Sequence, residues 1–167
     1  MKEHPLTVRP QVLQTKRYVQ PDHAQLGPTP MRMALIAPTG FGKTEAALTA
    51  AHALLPIMDR VHLFSGTLEA DPALKRFKAA ILEKLRQRGV DPEGEENPFH
   101  SNLKDLDLQI SEAAKRTREA ADLGSAPPQV LFFVDDLLSE YRGAAATKTL
   151  ERLFYSGRHY GISTIIN

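Results

Sequence analysis

Met33-Ala-Leu-Ile-Ala-Pro-Thr-Gly-Phe-Gly-Lys-Thr44 is the stretch on which the reading of the fold turns. Its apolar first half reads as a buried strand, a glycine-bearing turn follows, and Lys43-Thr44 opens an alanine-rich helix. A loop that binds phosphate needs this strand–turn–helix order. Gly40 and Gly42 let backbone N–H groups turn toward an anion with no Cβ in the way. The helix that starts there offers unpaired N–H groups and a positive dipole end. Pro38, Thr39, Gly40, Phe41, Gly42, Lys43 and Thr44 are therefore the candidate residues for holding a nucleoside triphosphate. Lys43 would reach the β- and γ-phosphates, and the Thr44 hydroxyl would ligate Mg²⁺. The stretch departs from G-x-x-x-x-G-K-[ST] at its first glycine, where Ala37 stands. Alanine is the mildest change there, provided its φ is negative.

A phosphate loop needs an acidic partner, and Val130-Leu-Phe-Phe-Val-Asp135-Asp136 has the form of an apolar strand ending in one. Asp135, emerging at the carboxyl end of the strand, would hold Mg²⁺ through water beside Thr44. Asp136 stands where a carboxylate orients or deprotonates an attacking water. Alone, the same residues also fit a buried strand running into a helix N-cap. Arg158 admits two roles: a finger reaching a γ-phosphate across a subunit boundary, or a cation at a helix C-terminus with Gly157 as a left-handed stop. His159 reads as packing or hydrogen bonding, and the remaining histidines lack the i, i+4 spacing of a metal pair.

Outward from these motifs, strands alternate with helices. The expected strands are Met31 to Ala37, Arg60 to Ser65, Val130 to Val134 and Ile162 to Ile166. The expected helices run from Lys43 to Leu55, from Asp71-Pro72 to Gly89, from Ser101-Asn102 to Gly124 and from Ala144 to Ser156. Val90 to His100 reads as an acidic loop, and Ser125 to Pro128 as a linker. Such alternation implies an α/β fold with a mainly parallel sheet covered on both faces. Residues 1–30 hold five of the twelve prolines and read as an irregular arm with a short edge strand near Tyr18-Val19; residues 31–167 form the domain. The chain stops on the apolar, β-branched Ile-Ser-Thr-Ile-Ile-Asn167, which belongs inside a sheet. The expectation is a chain cut short, or one whose partner segment lies elsewhere.

A length of 167 residues allows one domain with a full core. The net charge of +1 gives no global attraction to nucleic acid or membrane, so such binding must come from local patches. Absence of cysteine excludes disulfides, thiolate metal sites and cysteine nucleophiles together. No apolar run approaches the ~20 residues a membrane-spanning helix requires. The helix after Pro72 carries Lys75, Arg76, Lys78, Lys84, Arg86 and Arg88 against Glu83, either as a face that tracks DNA phosphates or as a solvated exterior. Lys2, Arg9, Lys16 and Arg17 make the arm a weaker candidate.

With these residues in place, the chain from about Met31 to Asn167 resembles the FtsK–HerA superfamily, and within it the poxvirus-type genome-packaging ATPases. The resemblance rests on Ala37-Pro-Thr-Gly-Phe-Gly-Lys-Thr44, on Leu63-Phe-Ser-Gly-Thr67 with Asp71-Pro72, on Val134-Asp-Asp136, and on Leu153-Phe-Tyr-Ser-Gly-Arg-His-Tyr-Gly-Ile-Ser163. It implies a three-layer, RecA/ASCE-like P-loop NTPase fold in which the last strand lies between the P-loop strand and the acidic strand. The order would be P-loop strand, Ile162–Ile166, Val130–Val134, Arg60–Ser65, leaving the P-loop strand at an edge. It further implies ATP and Mg²⁺ as cofactors, double-stranded DNA as the substrate track, a homo-oligomeric ring and a capsid vertex protein as partner. The location implied is intracellular, in host cytoplasm or a viral factory, or with the virion. Family members place a polar sensor, commonly Gln, a residue or two beyond the position of Asn167, followed by a further strand and helix. Two other functions share the motifs. One is the first motor domain of a superfamily-2 helicase, against which stands Leu137-Leu138 after the paired aspartates. The other is a nucleotide-binding module without turnover.

Overall fold

The computed structural model describes residues 20–22, 26–38, 40–91, 94, 97–135, 137 and 144–167. Within them the chain forms β1 (Arg32–Ala34), α1 (Lys43–Leu54), β2 (Arg60–Ser65), α2 (Pro72–Gln87), β3 (Phe99–His100), α3 (Leu103–Asp122), β4 (Val130–Asp135), α4 (Ala144–Ser156) and β5 (Ile162–Ile166). The five strands make one all-parallel sheet in the order β1-β5-β4-β2-β3. The first four follow the order expected from sequence. The apolar run Ile162–Ile166 lies in the interior of the sheet, with β1 on one side and β4 on the other.

Pleating sorts the strand residues onto two faces. Val61, Leu63, Leu131, Phe133 and Ile165 pack against α1 through Ala47, Ala51 and Leu54, and against α2 through Leu74, Phe77 and Ile81. Their neighbours Phe64, Val130, Phe132, Val134, Ile162 and Ile166 meet Leu106, Ile110 and Ala113 of α3 and Leu153 of α4. The result is three layers with a separate core on each face of the sheet. β4 and β5 are buried along their whole length, which is why they are mainly apolar and show no regular alternation. Phe77 is fully buried with its ring 5.5 Å from Phe133 and 5.0 Å from His52, so truncating it to alanine would cost about 3–5 kcal/mol.

Local signals set the helix ends. The Asp71 carboxylate accepts from the N–H groups of Ala73 and Leu74 at the start of α2, with Pro72 at the first helical position. Asn102 does the same for α3, accepting from Asp105 N–H at 3.1 Å.

Three expectations differ from the structure. β1 is shorter than Met31 to Ala37, because its partner β5 ends at Ile166. The last ladder bond runs from Leu35 N–H to the Ile166 carbonyl at 2.9 Å, and Ile36 is 95% exposed. The stretch read as a loop before Ser101 contains β3, two residues too short to show any periodicity; Leu63 N–H donates to the Pro98 carbonyl at 2.7 Å and the strand pairs with β2. Gly157 is not a left-handed stop. A 3-10 turn, Gly157–Tyr160, continues from α4, and the left-handed residue is Gly161, with φ 73°. The strand expected near Tyr18-Val19 lies outside the described residues. The end of the arm is tied down: Thr29 N–H donates to Gln20 Oε1 at 2.8 Å, and its hydroxyl accepts from Gln129 Nε2 at 3.2 Å.

β3 is held to β2 by side chains as well as by the ladder. His62 Nδ1 lies 3.0 Å from His100 Nε2, and the His100 ring stacks on Phe64 at 4.6 Å. On its other side His100 Nδ1 faces Asp105 Oδ2 at 3.7 Å, which favours a proton on Nδ1 and leaves Nε2 to accept from His62. Burial, then the neighbouring His100, Arg60 and Arg116, push the His62 pKa down to about 3. The unfolded chain takes up a proton at this residue near the ordinary histidine value, so below it the unfolded state binds more protons than the folded one. Stability should fall as pH drops from about 6.5 toward 3, by up to about 1.4 kcal/mol per pH unit from this group. Thermal melts across that range should show His62→Gln less acid-sensitive than the unsubstituted chain.

Candidate functional site

The candidate site forms at the carboxyl edge of the sheet, where β1, β5 and β4 end side by side. Open α/β sheets carry their ligands at this edge. Past β1 the chain leaves the ladder and turns through Gly40, with φ 86°, and Gly42, with φ 74°, into α1. An added Cβ would meet no atom within 4 Å at either glycine, so the requirement is backbone conformation and not space. Gly42 is the N-cap of α1, and it has no side chain to accept from the first-turn N–H groups. In this α1 differs from α2 and α3, whose caps are filled by Asp71 and Asn102. A helix start without a side-chain acceptor, preceded by a left-handed glycine, suits an anion.

Lys43 lies at the same turn. Its ammonium folds back over the loop and donates to the Pro38 carbonyl at 3.3 Å. Thr44, in the first turn of α1, points its hydroxyl across to β5 and β4. There Asp135, the last residue of β4, is 4% exposed. Between them stands a residue that sequence reasoning did not single out. Asn167 extends β5, its N–H donating to the Val134 carbonyl at 3.0 Å. Its carboxamide nitrogen donates to Thr44 Oγ1 at 2.8 Å and to Asp135 Oδ1 at 2.5 Å. Its carboxamide oxygen is buried and has no hydrogen-bond partner among the described residues.

The hydroxyl of Thr44 and the carboxylate of Asp135 thus lie on either side of one nitrogen atom. A hydroxyl and a carboxylate are the oxygen chemistry of a hard dication such as Mg²⁺. The residues present therefore fit the cation expected from sequence. Thr39 and Asp136, named as phosphate-loop and water-orienting residues, lie outside the described residues. Phe41 flanks the loop and is 75% exposed.

Arg158 is not brought to this site. Its turn precedes β5, whereas the loop follows the parallel β1, so the length of β5 separates them, ~16 Å at about 3.3 Å per residue. The basic face of α2 is also partly committed elsewhere. Lys84 donates to the carbonyls of Leu55 and Pro56, and Arg88 to that of Asp59, all in the segment between α1 and β2. Burial, and then the neighbouring Arg88, depress the Lys84 pKa. Lys78 and Arg76 are paired with Glu69 and Glu45 at 2.5 and 3.3 Å. These cations mainly fasten α2 to the domain.

A cleft of about 760 Å³ opens at the carboxyl end of β2, lined by Ser65, Gly66, Leu68, Lys78, Phe99 and His100 among others; no residue of the glycine loop lines it. The Lys78 charge there is matched by Glu69, and Arg86, also in its lining, lies 3.7 Å from Glu83. Among the described residues there is no cluster of three His, Asp or Glu side chains that could hold a metal, and no helix long and apolar enough to cross a membrane. No family model matches the chain, and no curated protein matches it significantly.

The left-handed N-cap gives a direct check on the loop. Gly42→Ala should lower stability by about 1–2 kcal/mol, because an L side chain resists φ near +74°. Gly42→Asn should cost less, and the denaturant midpoints of the two variants should rank accordingly.

Proposed function

We propose that this chain is a P-loop ATPase that binds Mg·ATP at the carboxyl edge of β1, β5 and β4. The observation that carries the proposal is the convergence of Thr44 and Asp135 on one point beside an uncapped helix that begins in a glycine turn. Thr44 and Asp135 meet there, each bonded to Asn167, only because β5 lies between β1 and β4.

Each residue then has a task. The N–H groups from Gly40 to Thr44 surround the phosphates, and Lys43 exchanges the Pro38 carbonyl for phosphate oxygens, a stronger, charge-assisted contact. Thr44 and Asp135 hold the cation, which when bound neutralises charge developing on the phosphates. Asp136 orients the attacking water and accepts its proton. The exposed Phe41 stands at the rim, available to the nucleotide or to an adjoining copy. Arg158 acts from a neighbouring subunit, since its own chain holds it at the far end of β5.

The wider role follows the resemblance of the sequence to the poxvirus-type packaging ATPases. The chain works in a homo-oligomeric ring that moves double-stranded DNA into a capsid, a ring being what gives Arg158 a phosphate to reach. Because Lys84 and Arg88 are engaged by backbone carbonyls, the DNA track lies elsewhere than on the carboxyl-terminal turns of α2.

Calorimetric titration with ATP and Mg²⁺ is the test. Lys43→Ala should weaken ATP binding more than tenfold, from loss of about 1.5–3 kcal/mol of charge-assisted contact. Asp135→Asn should weaken only the Mg²⁺-dependent part, and Asp136→Asn should spare binding while suppressing turnover. Unchanged nucleotide affinity in a folded Lys43→Ala protein would refute the assignment of the loop.

A further inference from the structure

The first turn of α1 carries two demands that pull against each other. Its N-cap, Gly42, offers no side-chain acceptor to the first N–H groups, and the acidic side chain of that turn is Glu45. A carboxylate there suits the empty helix, because it lies in the positive field of the N-terminus. It opposes a filled one. Phosphates at the same end draw on the same field, and Glu45 stands within one turn of Gly42, less than about 5.4 Å along the axis.

Arg76 meets the second demand. α2 starts from the carboxyl edge of β2 as α1 starts from that of β1, so both helices begin over one edge of the parallel sheet. From the second turn of α2, Arg76 Nη2 reaches Glu45 Oε1 at 3.3 Å. One residue on, Phe77 meets the His52 ring edge-on at 5.0 Å, which sets the two helices side by side. The other acids at this end of α2 have different tasks: Asp71 caps the helix, and Glu69 pairs with Lys78. Glu45 and Arg76 are 68% and 72% exposed, so their pairing adds little to stability. What it changes is the charge beside the loop.

We infer that Arg76 is a charge-balancing residue of the nucleotide site that acts through Glu45: it cancels the carboxylate in the first turn of α1, so that phosphates meet the helix N-terminus without a facing negative charge. The inference rests on the reading of the loop as a Mg·ATP site and adds to it a residue from a second helix. Nucleotide affinity then depends on α2 as well as on the loop, and the dependence grows with the number of phosphate charges.

Opposite signs from the two partners are the signature to seek, by calorimetric titration with Mg²⁺ and a non-hydrolysable ATP analogue at low ionic strength. Arg76→Gln leaves the Glu45 carboxylate uncompensated and should weaken binding about threefold, the scale of a few charges roughly 8–10 Å apart in water. Glu45→Gln leaves the Arg76 guanidinium uncompensated and should tighten binding by about as much. The double substitution should return close to the affinity of the unsubstituted chain. All these differences should fade in 1 M salt, where screening acts within about 3 Å, whereas disturbed packing between α1 and α2 would persist. Weakening by both single substitutions, an Arg76→Gln loss that neither Glu45→Gln nor salt removes, or equal affinity in all four proteins would overturn the inference and leave the nucleotide site standing. Failure of the unsubstituted chain to bind the analogue at all would overturn both.

Discussion

β5 separates β1 from β4, and the rest of the molecule is arranged around that insertion. Two parallel ladders fix it. One runs from Arg32–Ala34 to Thr164–Ile166, and the other from Val130–Val134 to Ile162–Ile166. Since all three strands point the same way, their carboxyl ends are brought level, and whatever follows each strand is delivered to the same edge. The glycine loop follows β1, Asn167 follows β5, and Asp135 closes β4. Were β1 to pair with β4 directly, the loop would stand one strand spacing, roughly 4.8 Å, nearer the carboxylate, with no place for the amide between them.

The same insertion accounts for the two cores. A strand with neighbours on both sides and helices on both faces needs apolar side chains toward both cores, and Ile162, Ile165 and Ile166 supply them. Two polar residues share the strand. The Ser163 hydroxyl accepts from Met31 N–H at 3.2 Å, which aligns the start of β1, while the Thr164 hydroxyl is buried without a partner. Arg32 reinforces the edge from outside, reaching the Phe154 carbonyl at 2.6 Å near the end of α4. β1 is thus held by β5 and by contacts at its ends more than by its own three residues.

Much of this was legible in the sequence where the signal was long or chemically marked. The four helices and the positions of Lys43, Thr44 and Asp135 follow from periodicity, caps and the glycine turn, and the order of four strands is what the family resemblance implies. What escaped was short or relational. Phe99–His100 carries no period, and its place in the sheet depends on His62 and Phe64, more than thirty residues earlier. The pairing of Lys84 and Arg88 with carbonyls is invisible in a charge pattern, which shows a basic face and not what the face touches. Asn167 had a signal, being the polar residue that ends the strand expected between loop and acid. Its meaning needed the distances to Thr44 and Asp135.

The halves of the proposed site hang from strands of very different security. Asp135 belongs to a strand that is fully buried and laddered on both sides, so its amides should open to solvent only when the whole domain does. The glycine loop hangs from a strand of three residues at the edge of the sheet among the described residues, partly exposed and bonded along one side. Its amides belong to the weakly protected class that opens locally, at little cost to the centre of the sheet. One wall of the site is therefore an anvil and the other a hinge. A ligand gripping both would transfer to β1 a rigidity that β1 does not have by itself, and motion at the loop would be set by occupancy and not by the fold.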